Sequence, residues 1–250
     1  LLNIYHHEGY HYARHIFDLK AEYKPQPGEQ AVEVSLGTVD DAPIYYTLDG
    51  TEPTEQSPAY TAPILITENA AFRAAAIRPE GKSRMISEDL RFTNATGRPV
   101  SLSMEPSEKY RFHGADALVD GLKGNDNYST GRWLGFIGGD MEAVIDLQAP
   151  TEISAVSTQA LVDMPAWIMG ATGLAVYASD DNTNFREVAI RDYPADTDYG
   201  KKSIDRYEVT FAPVTTRYVK VIVKRSLALP KGHGGEGRAP YMFIDEISVK

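Results

Sequence analysis

An all-β chain of two sandwich domains is what this sequence predicts, and three observations predict it. From about residue 30 onward apolar residues alternate with polar ones in short runs, the period of strands that bury one face. Gly, Pro, Asp and Asn separate the runs, as turns require. The 250 residues exceed the roughly 100 to 200 of an ordinary domain. Helical periodicity is scarce.

Taken in order, Val32, Val34 and Leu36 face one way while Glu33 and Ser35 face the other, and Ile44, Tyr46 and Leu48 repeat the alternation before the Asp49-Gly50 turn. Residues 64–66, 71–77 and 85–92 complete roughly five to seven short strands, an immunoglobulin-sized sandwich. The polar stretch Asn94-Ala95-Thr96-Gly97-Arg98-Pro99 marks the boundary between the two domains. A fresh series follows at residues 142–147, 152–159, 174–179, 185–190, 206–211, 218–224 and 242–249. In the fifth of these, Tyr207, Val209 and Phe211 alternate with Arg206, Glu208 and Thr210, as a half-buried antiparallel strand requires. About eight strands predict a jelly roll. The expected division is therefore residues 1–20 as a tail, 21–96 as the first sandwich and 97–250 as the second.

Composition excludes several classes of function. Hydrophobic residues at 42% and charged residues at 24% are those of a folding globular chain. The 35 acidic residues against 25 basic give a formal charge of −10, the wrong sign for a phosphate backbone, so nucleic acid is not an expected partner. No apolar run reaches the ~20 residues of a membrane span. The opening Leu1-Leu2-Asn3-Ile4-Tyr5-His6-His7 lacks a charged and then apolar leader pattern, and the chain reads as a piece cut from something longer. With no cysteine, disulfides and thiolate metal sites are excluded, but the compartment is not settled.

The string Ile44-Tyr45-Tyr46-Thr47-Leu48-Asp49-Gly50-Thr51-Glu52-Pro53-Thr54, with Ser57-Pro58-Ala59-Tyr60 and Pro63-Ile64 after it, resembles the C-terminal immunoglobulin-like domain of chitobiases and β-hexosaminidases. Residues 71–77 with Gly81-Lys82-Ser83 fit its closing strand. Three further blocks make the second domain similar to a discoidin or coagulation factor V/VIII type C domain, the fold of family 32 carbohydrate-binding modules. They are Ala117-Leu118-Val119-Asp120-Gly121 with Trp133-Leu134-Gly135-Phe136, then Glu142-Ala143-Val144-Ile145-Asp146-Leu147, and Phe243-Ile244-Asp245-Glu246-Ile247.

This pairing is similar to the region after the catalytic barrel in bacterial-type family 20 β-N-acetylhexosaminidases. The resemblance implies a non-catalytic, carbohydrate-binding accessory region of a secreted, periplasmic or cell-surface enzyme, with the barrel as its partner in cis. Such enzymes use the substrate's own acetamide, with a Glu as acid and a neighbouring Asp, in a Gly-Gly-Asp-Glu string. Here Gly138-Gly139-Asp140 is followed by Met141, whose thioether cannot donate a proton. The string reads as a turn, and no catalytic residue is expected in this chain.

His7-Glu8-Gly9-Tyr10-His11 spells the zincin pattern, two His on one helical face with a Glu between. Too few residues precede the first sandwich for a protease fold, and Gly9 within the required helix costs ~1 kcal/mol relative to Ala. His6 and His15 crowd the same segment, so the match reads as chance, and no zinc is expected.

Calcium is the expected cofactor. Asp116, Asp120, Asn125, Asp126, Asn127, Ser129 and Thr130 offer the oxygens a hard cation takes, although Asn and Asp also crowd ordinary turns. The resemblance implies carboxylates at Asp120 and Glu246 and a carbonyl at Ala117, with a structural role.

Sugar binding asks for an aromatic face with polar groups around it. Trp133 falls where the resemblance implies a core aromatic. Trp167 lies in the loop Val162-Asp163-Met164-Pro165-Ala166-Trp167-Ile168-Met169-Gly170, on the side where the family places ligand contacts. A second loop, Lys231-Gly232-His233-Gly234-Gly235-Glu236-Gly237-Arg238, brings His233 and Arg238, equally readable as solvated surface residues. Trp167, His233 and Arg238 are thus the candidate glycan contacts, for glycans containing N-acetylhexosamine or galactose. Two other functions stay open: a pair of structural spacers, or a protein or lipid adhesion module marked by exposed apolar spikes at loop tips.

Overall fold

The computed structural model describes residues 17–26 and 28–250, so the His7 to His11 string lies outside the described residues. Among the described residues every regular element apart from short 3-10 turns is a strand. The chain divides into two compact units, one reaching to Tyr23 and resuming over Glu33–Leu90, the other joining Lys24–Val32 to Arg91–Lys250.

Up to Leu90 the chain forms β1 (Lys20–Gln26), β2 (Ala31–Gly37), β3 (Ile44–Thr47), β4 (Ile64–Ile66), β5 (Ala70–Arg78), β6 (Gly81–Lys82) and β7 (Ile86–Leu90). One sheet runs β1-β2-β4; in the other, β5 pairs with β3, β6 and β7. Val34, Ile66, Phe72 and Leu90 are buried, alternate residues of their strands, as period 2 demands. The Asp49-Gly50 turn closes because the Asp49 carboxylate accepts from the Thr51 amide at 3.0 Å and its hydroxyl at 2.6 Å. The Ser57-Pro58-Ala59-Tyr60 string lies beside β3, through Tyr46 N–H to Pro58 and Tyr60 N–H to Ile44. Leu48 departs from the sequence alternation: β3 ends at Thr47, and Leu48 is exposed.

The second unit holds β8 (Val100–Leu102), β9 (Leu134–Phe136), β10 (Met141–Asp163), β11 (Ala171–Ser179), β12 (Arg186–Asp192), β13 (Lys202–Arg225), β14 (Met242–Ile244) and β15 (Ser248–Val249). The eight strands run in the order β12-β11-β13-β10-β14-β9, with β8 and β15 also on β10. Four of the sequence-expected strands merge in pairs here. β10 and β13 pair from Met141 opposite Val223 to Asp146 opposite Tyr218, break, and resume to Asp163 opposite Lys202. At the break Gln148 takes a φ of 68° and Pro150 can donate nothing to a ladder. A bulge of this kind lets two paired strands bend together from one layer into the next, so each apparent pair is one strand turning a corner. Ile145, Val221 and Leu174 from one layer meet Val156, Val209 and Ile244 from the other in a common core.

The polar stretch at residues 94–99 is firmly anchored. Ala95 and Thr96 are fully buried; the Asn94 N–H donates to Val249 and the Gly97 N–H to Val119. Backbone groups tied to both the first loop and the last strand belong to the second unit, whose longer segment runs from Arg91 to Lys250.

Candidate functional site

Three loops of the second unit converge. The first follows β10: Asp163 caps a 3-10 turn over Met164–Ala166, and Trp167 ends it in the left-handed conformation, φ 64°. A bulky side chain there is strained by about 1–2 kcal/mol, and its surroundings hold it. Trp167 N–H donates to Met164 and Tyr241 N–H to Trp167. The indole is half-buried against Val162, Met164, Met169 and Leu229.

The glycine-rich loop lies over this turn. The Arg238 guanidinium carbon stands 5.3 Å from the Trp167 ring centroid, a cation–π contact. Gly235 passes so close that an added Cβ would come within 2.8 Å of the indole, so only glycine fits. His233 uses both ring nitrogens: Nδ1 accepts from Gly235 N–H at 3.0 Å, and Nε2 lies 3.0 Å from the Met164 carbonyl. The neutral tautomer protonated at Nε2 satisfies both bonds. Trp167, His233 and Arg238 therefore come together, with His233 as the fastener between two loops and Arg238 as the exposed polar group.

The third loop, residues 193–201, is bound to both of the others. Met164 N–H donates to Lys201, Gly170 N–H to Asp196, and the Tyr199 hydroxyl to the Lys231 carbonyl. The Tyr199 ring meets His233 edge-on at 5.8 Å. Nothing in the loop's own composition marked it in the sequence, since its role comes from contacts far along the chain.

A separate carboxylate group lies where a cation was expected. Asp120, Asp245 and Glu246 are 8%, 0% and 4% exposed. Leu122 N–H donates to Asp120, Gly121 N–H to Glu246 at 3.1 Å and Gly124 N–H to Asp245 at 3.0 Å. Asp245 Oδ1 and Glu246 Oε1 remain buried without hydrogen-bond partners. Burial pushes the Asp245 carboxyl up to about 7, and burial together with the Asp120 charge raises Glu246 well above its ordinary value. Acids raised in this way either keep a proton or take a cation, and the two unpartnered oxygens offer a cation hard-oxygen donors. No three His, Cys, Asp or Glu side chains form a metal-holding group among the described residues. Ala117 sits in the adjoining 3-10 turn, Gly114–Leu118. Asp245 was missed as a candidate, although two adjacent acids inside the apolar run 242–247 are a signal of a functional burial.

Trp133 belongs to the core, fully buried with Leu161, Ile168 and Phe243. Its indole N–H donates to the Asn125 carbonyl at 2.8 Å, and Gly124 packs on its ring closer than any Cβ could. The core thereby shapes the loop 121–133. The Gly138-Gly139-Asp140 string is a bend with Gly138 at φ 87°, and Asp140 accepts from the Arg225 N–H.

A model of the F5/8 type C domain matches residues 101–237, more than half of the chain. The chain belongs to the F5/8 type C domain family. Within the part preceding that F5/8 type C domain, a model of the chitobiase/beta-hexosaminidase C-terminal domain matches residues 25–88. Both are non-catalytic domain types. No curated protein matches the chain. Among solved structures, the F5/8 type C unit is similar to a family 32 carbohydrate-binding module from Clostridium perfringens in complex with GalNAc-beta-1,3-galactose, at 14% identity and TM-score 0.39 over 60% of this chain and 93% of that one. It is also similar to chitosan-binding module 2 of a chitosanase/glucanase from Paenibacillus sp. IK-5, in complex with chitotriose, at 20% identity and TM-score 0.37 over 62% and 98%. A third is the family 32 module of AlyQ in complex with 4,5-unsaturated mannuronic acid, at 14% identity and TM-score 0.38 over 61% and 93%. No helix among the described residues is long and apolar enough to cross a membrane.

Proposed function

We propose that the F5/8 type C unit binds glycan at the Trp167 loop and serves as an accessory region of a secreted or periplasmic β-N-acetylhexosaminidase, whose catalytic barrel is its partner in cis. The observation that carries the reading is the Trp167–Arg238 stack, an aromatic ring with guanidinium donors beside it on an exposed loop. Sugars bind such pairs, their C–H faces on the ring and their hydroxyls on the donors. The two adjacent family matches support the link to the enzyme, and an appended binder raises the enzyme's local concentration on polymeric substrate. Calcium at Asp120, Glu246 and the Ala117 carbonyl, with Asp245 beside them, is proposed as a structural staple between the first loop and the last strand.

The deciding experiment is a glycan array of the chain, followed by calorimetric titration of the Trp167→Ala variant. Binding to N-acetylhexosamine or galactose glycans that is lost in the variant supports the reading; binding unchanged in the variant overturns it. One feature favours a second reading, adhesion to lipid: Leu227, in the loop after β13, is 77% exposed, and Ile137, between β9 and β10, is 42% exposed. Co-sedimentation with phosphatidylserine vesicles that Leu227→Ser abolishes would support it.

A further inference from the structure

We infer that the groove beneath loop 193–201 is a second saccharide subsite, so that the unit grips an internal stretch of a neutral oligosaccharide rather than a single terminal sugar. This rests on the reading that the Trp167 loop binds glycan.

The groove has a volume of about 600 Å3, within the ~300–1,000 Å3 of small-ligand sites. Its apolar surface is Tyr193 with Ile204, the latter 36% exposed. Its polar rim is Asp196, Asp198, Asp205 and Arg206. That combination is the one a sugar needs, an apolar patch for ring C–H groups and carboxylates that accept from adjacent hydroxyls.

The groove is built rather than incidental. It runs along the part of β13 that pairs with β10 on one side only, Lys202 to Thr210. There the Tyr193 hydroxyl takes the place of a neighbouring strand, donating to the Glu208 carbonyl at 2.8 Å and accepting from its N–H at 2.9 Å. Tyr193 stands edge-on to Tyr207 at 4.9 Å, and Tyr207, only 5% exposed, accepts from Ala171 N–H. Lys201 Nζ bridges Asp196 and Asp205, fixing both carboxylates. The contacts of this loop with Met164, Gly170 and Lys231 place the groove next to the Trp167 turn, so one chain can reach both.

Charge sets the ligand class. Three carboxylates against Lys201 and Arg206 leave the lining net negative, which disfavours uronic-acid polymers by like-charge repulsion.

The test is amide-resolved NMR titration of the whole chain with N-acetylglucosamine and its β-1,4 tetramer, with galactose and β-1,4-galactotetraose, and with tetragalacturonate. A neutral tetramer should bind roughly tenfold tighter than its monomer, shifting amides of residues 193–207 as well as 164–170. Combining Arg206→Ala with Asp198→Ala should cut the tetramer advantage to about twofold while monomer affinity and melting temperature hold. Equal affinity for monomer and tetramer, with no shifts in 193–207, would overturn the subsite and leave the Trp167 reading standing. No shifts with any neutral sugar would overturn both. Tighter binding of tetragalacturonate than of either neutral tetramer would overturn the charge selection and with it the ligand class.

Discussion

The Arg238 guanidinium lies over the Trp167 indole, its carbon 5.3 Å from the ring centroid, while Gly235 passes the same ring too closely to carry a side chain. The ring is therefore not a bare platform. It anchors a cation on an exposed residue. Affinity should come from the pair, so Arg238→Lys, which keeps the charge but loses the planar fork, should weaken glycan binding several-fold, and Arg238→Ala more. With one stack and a few hydroxyl contacts, the wild-type affinity should sit near the millimolar end, about −4 kcal/mol. Calorimetry against the best array glycan checks the order; equal affinities across the three proteins would refute it.

Trp167 carries a second, separable prediction. Its left-handed backbone suits glycine, and its side chain only partly packs on Met164 and Leu229. Trp167→Ala should remove binding and cost modest stability. Trp167→Gly should also remove binding but melt above the alanine variant, because glycine relieves about 1 kcal/mol of backbone strain. A glycine variant that melts below the alanine variant would show that the conformation is not strained.

Trp133 should behave in the opposite way. Its ring is fully buried and its N–H holds Asn125, so Trp133→Ala should destabilise the second unit by about 3–5 kcal/mol. Denaturant melts are the measurement, and a loss below about 1 kcal/mol would contradict the core assignment.

The separate fates of the two tryptophans show what was legible in the sequence. Alternation located the longer strands, because period 2 is a local property of the chain. What alternation could not show is where a strand turns a corner: the Asp146 to Thr151 bulge is a relation between β10 and β13. The same holds for the site. Trp167, His233 and Arg238 were visible as residue types in glycine- and proline-marked loops, but the use of both His233 nitrogens inside the chain depends on Met164, 69 positions away. Loop 193–201 was overlooked for the same reason, and β1, β8 and β9 were too short or too polar to stand out.

The pair Asp146 and Arg217 gives a prediction in pH. Arg217 Nε donates to Asp146 Oδ1 at 2.8 Å and Nη2 to Oδ2 at 2.9 Å, beside the corner of β10. The Arg217 hydrogen bonds hold the Asp146 carboxyl below its ordinary value. A lowered carboxyl adds stability that is present above the unfolded value of about 4 and is lost as pH falls through the folded one. Arg217 is largely solvated, 42% exposed, so solvent screening keeps the effect small. Wild type should melt slightly above Asp146→Asn at pH 7, and the gap should close as the pH is lowered below about 4. A gap that widens in acid would reverse the sign and refute the assignment.

The last prediction concerns the cation. Asp120, Asp245 and Glu246 bring three acids into the interior beside loop 121–133, and two of their oxygens have no hydrogen-bond partner. Without a cation such a group destabilises the fold; with one it becomes a staple, because an ion that binds only the folded state adds stability by mass action, about 2.7 kcal/mol at a hundred times its Kd. Calcium should therefore raise the melting temperature of the second unit, and chelator should lower it. The informative variant is Glu246→Gln, whose amide oxygen still accepts from Gly121 N–H while its charge is gone. In chelator it should melt at or above wild type, since a buried repulsion has been relieved. In calcium it should gain much less than wild type, since a ligand charge is missing. A purely structural carboxylate predicts the reverse in chelator, a lower melt from the lost acceptor strength. Elemental analysis of protein purified without chelator completes the test: absence of calcium, with melts of wild type unmoved by either calcium or chelator, would exclude the staple.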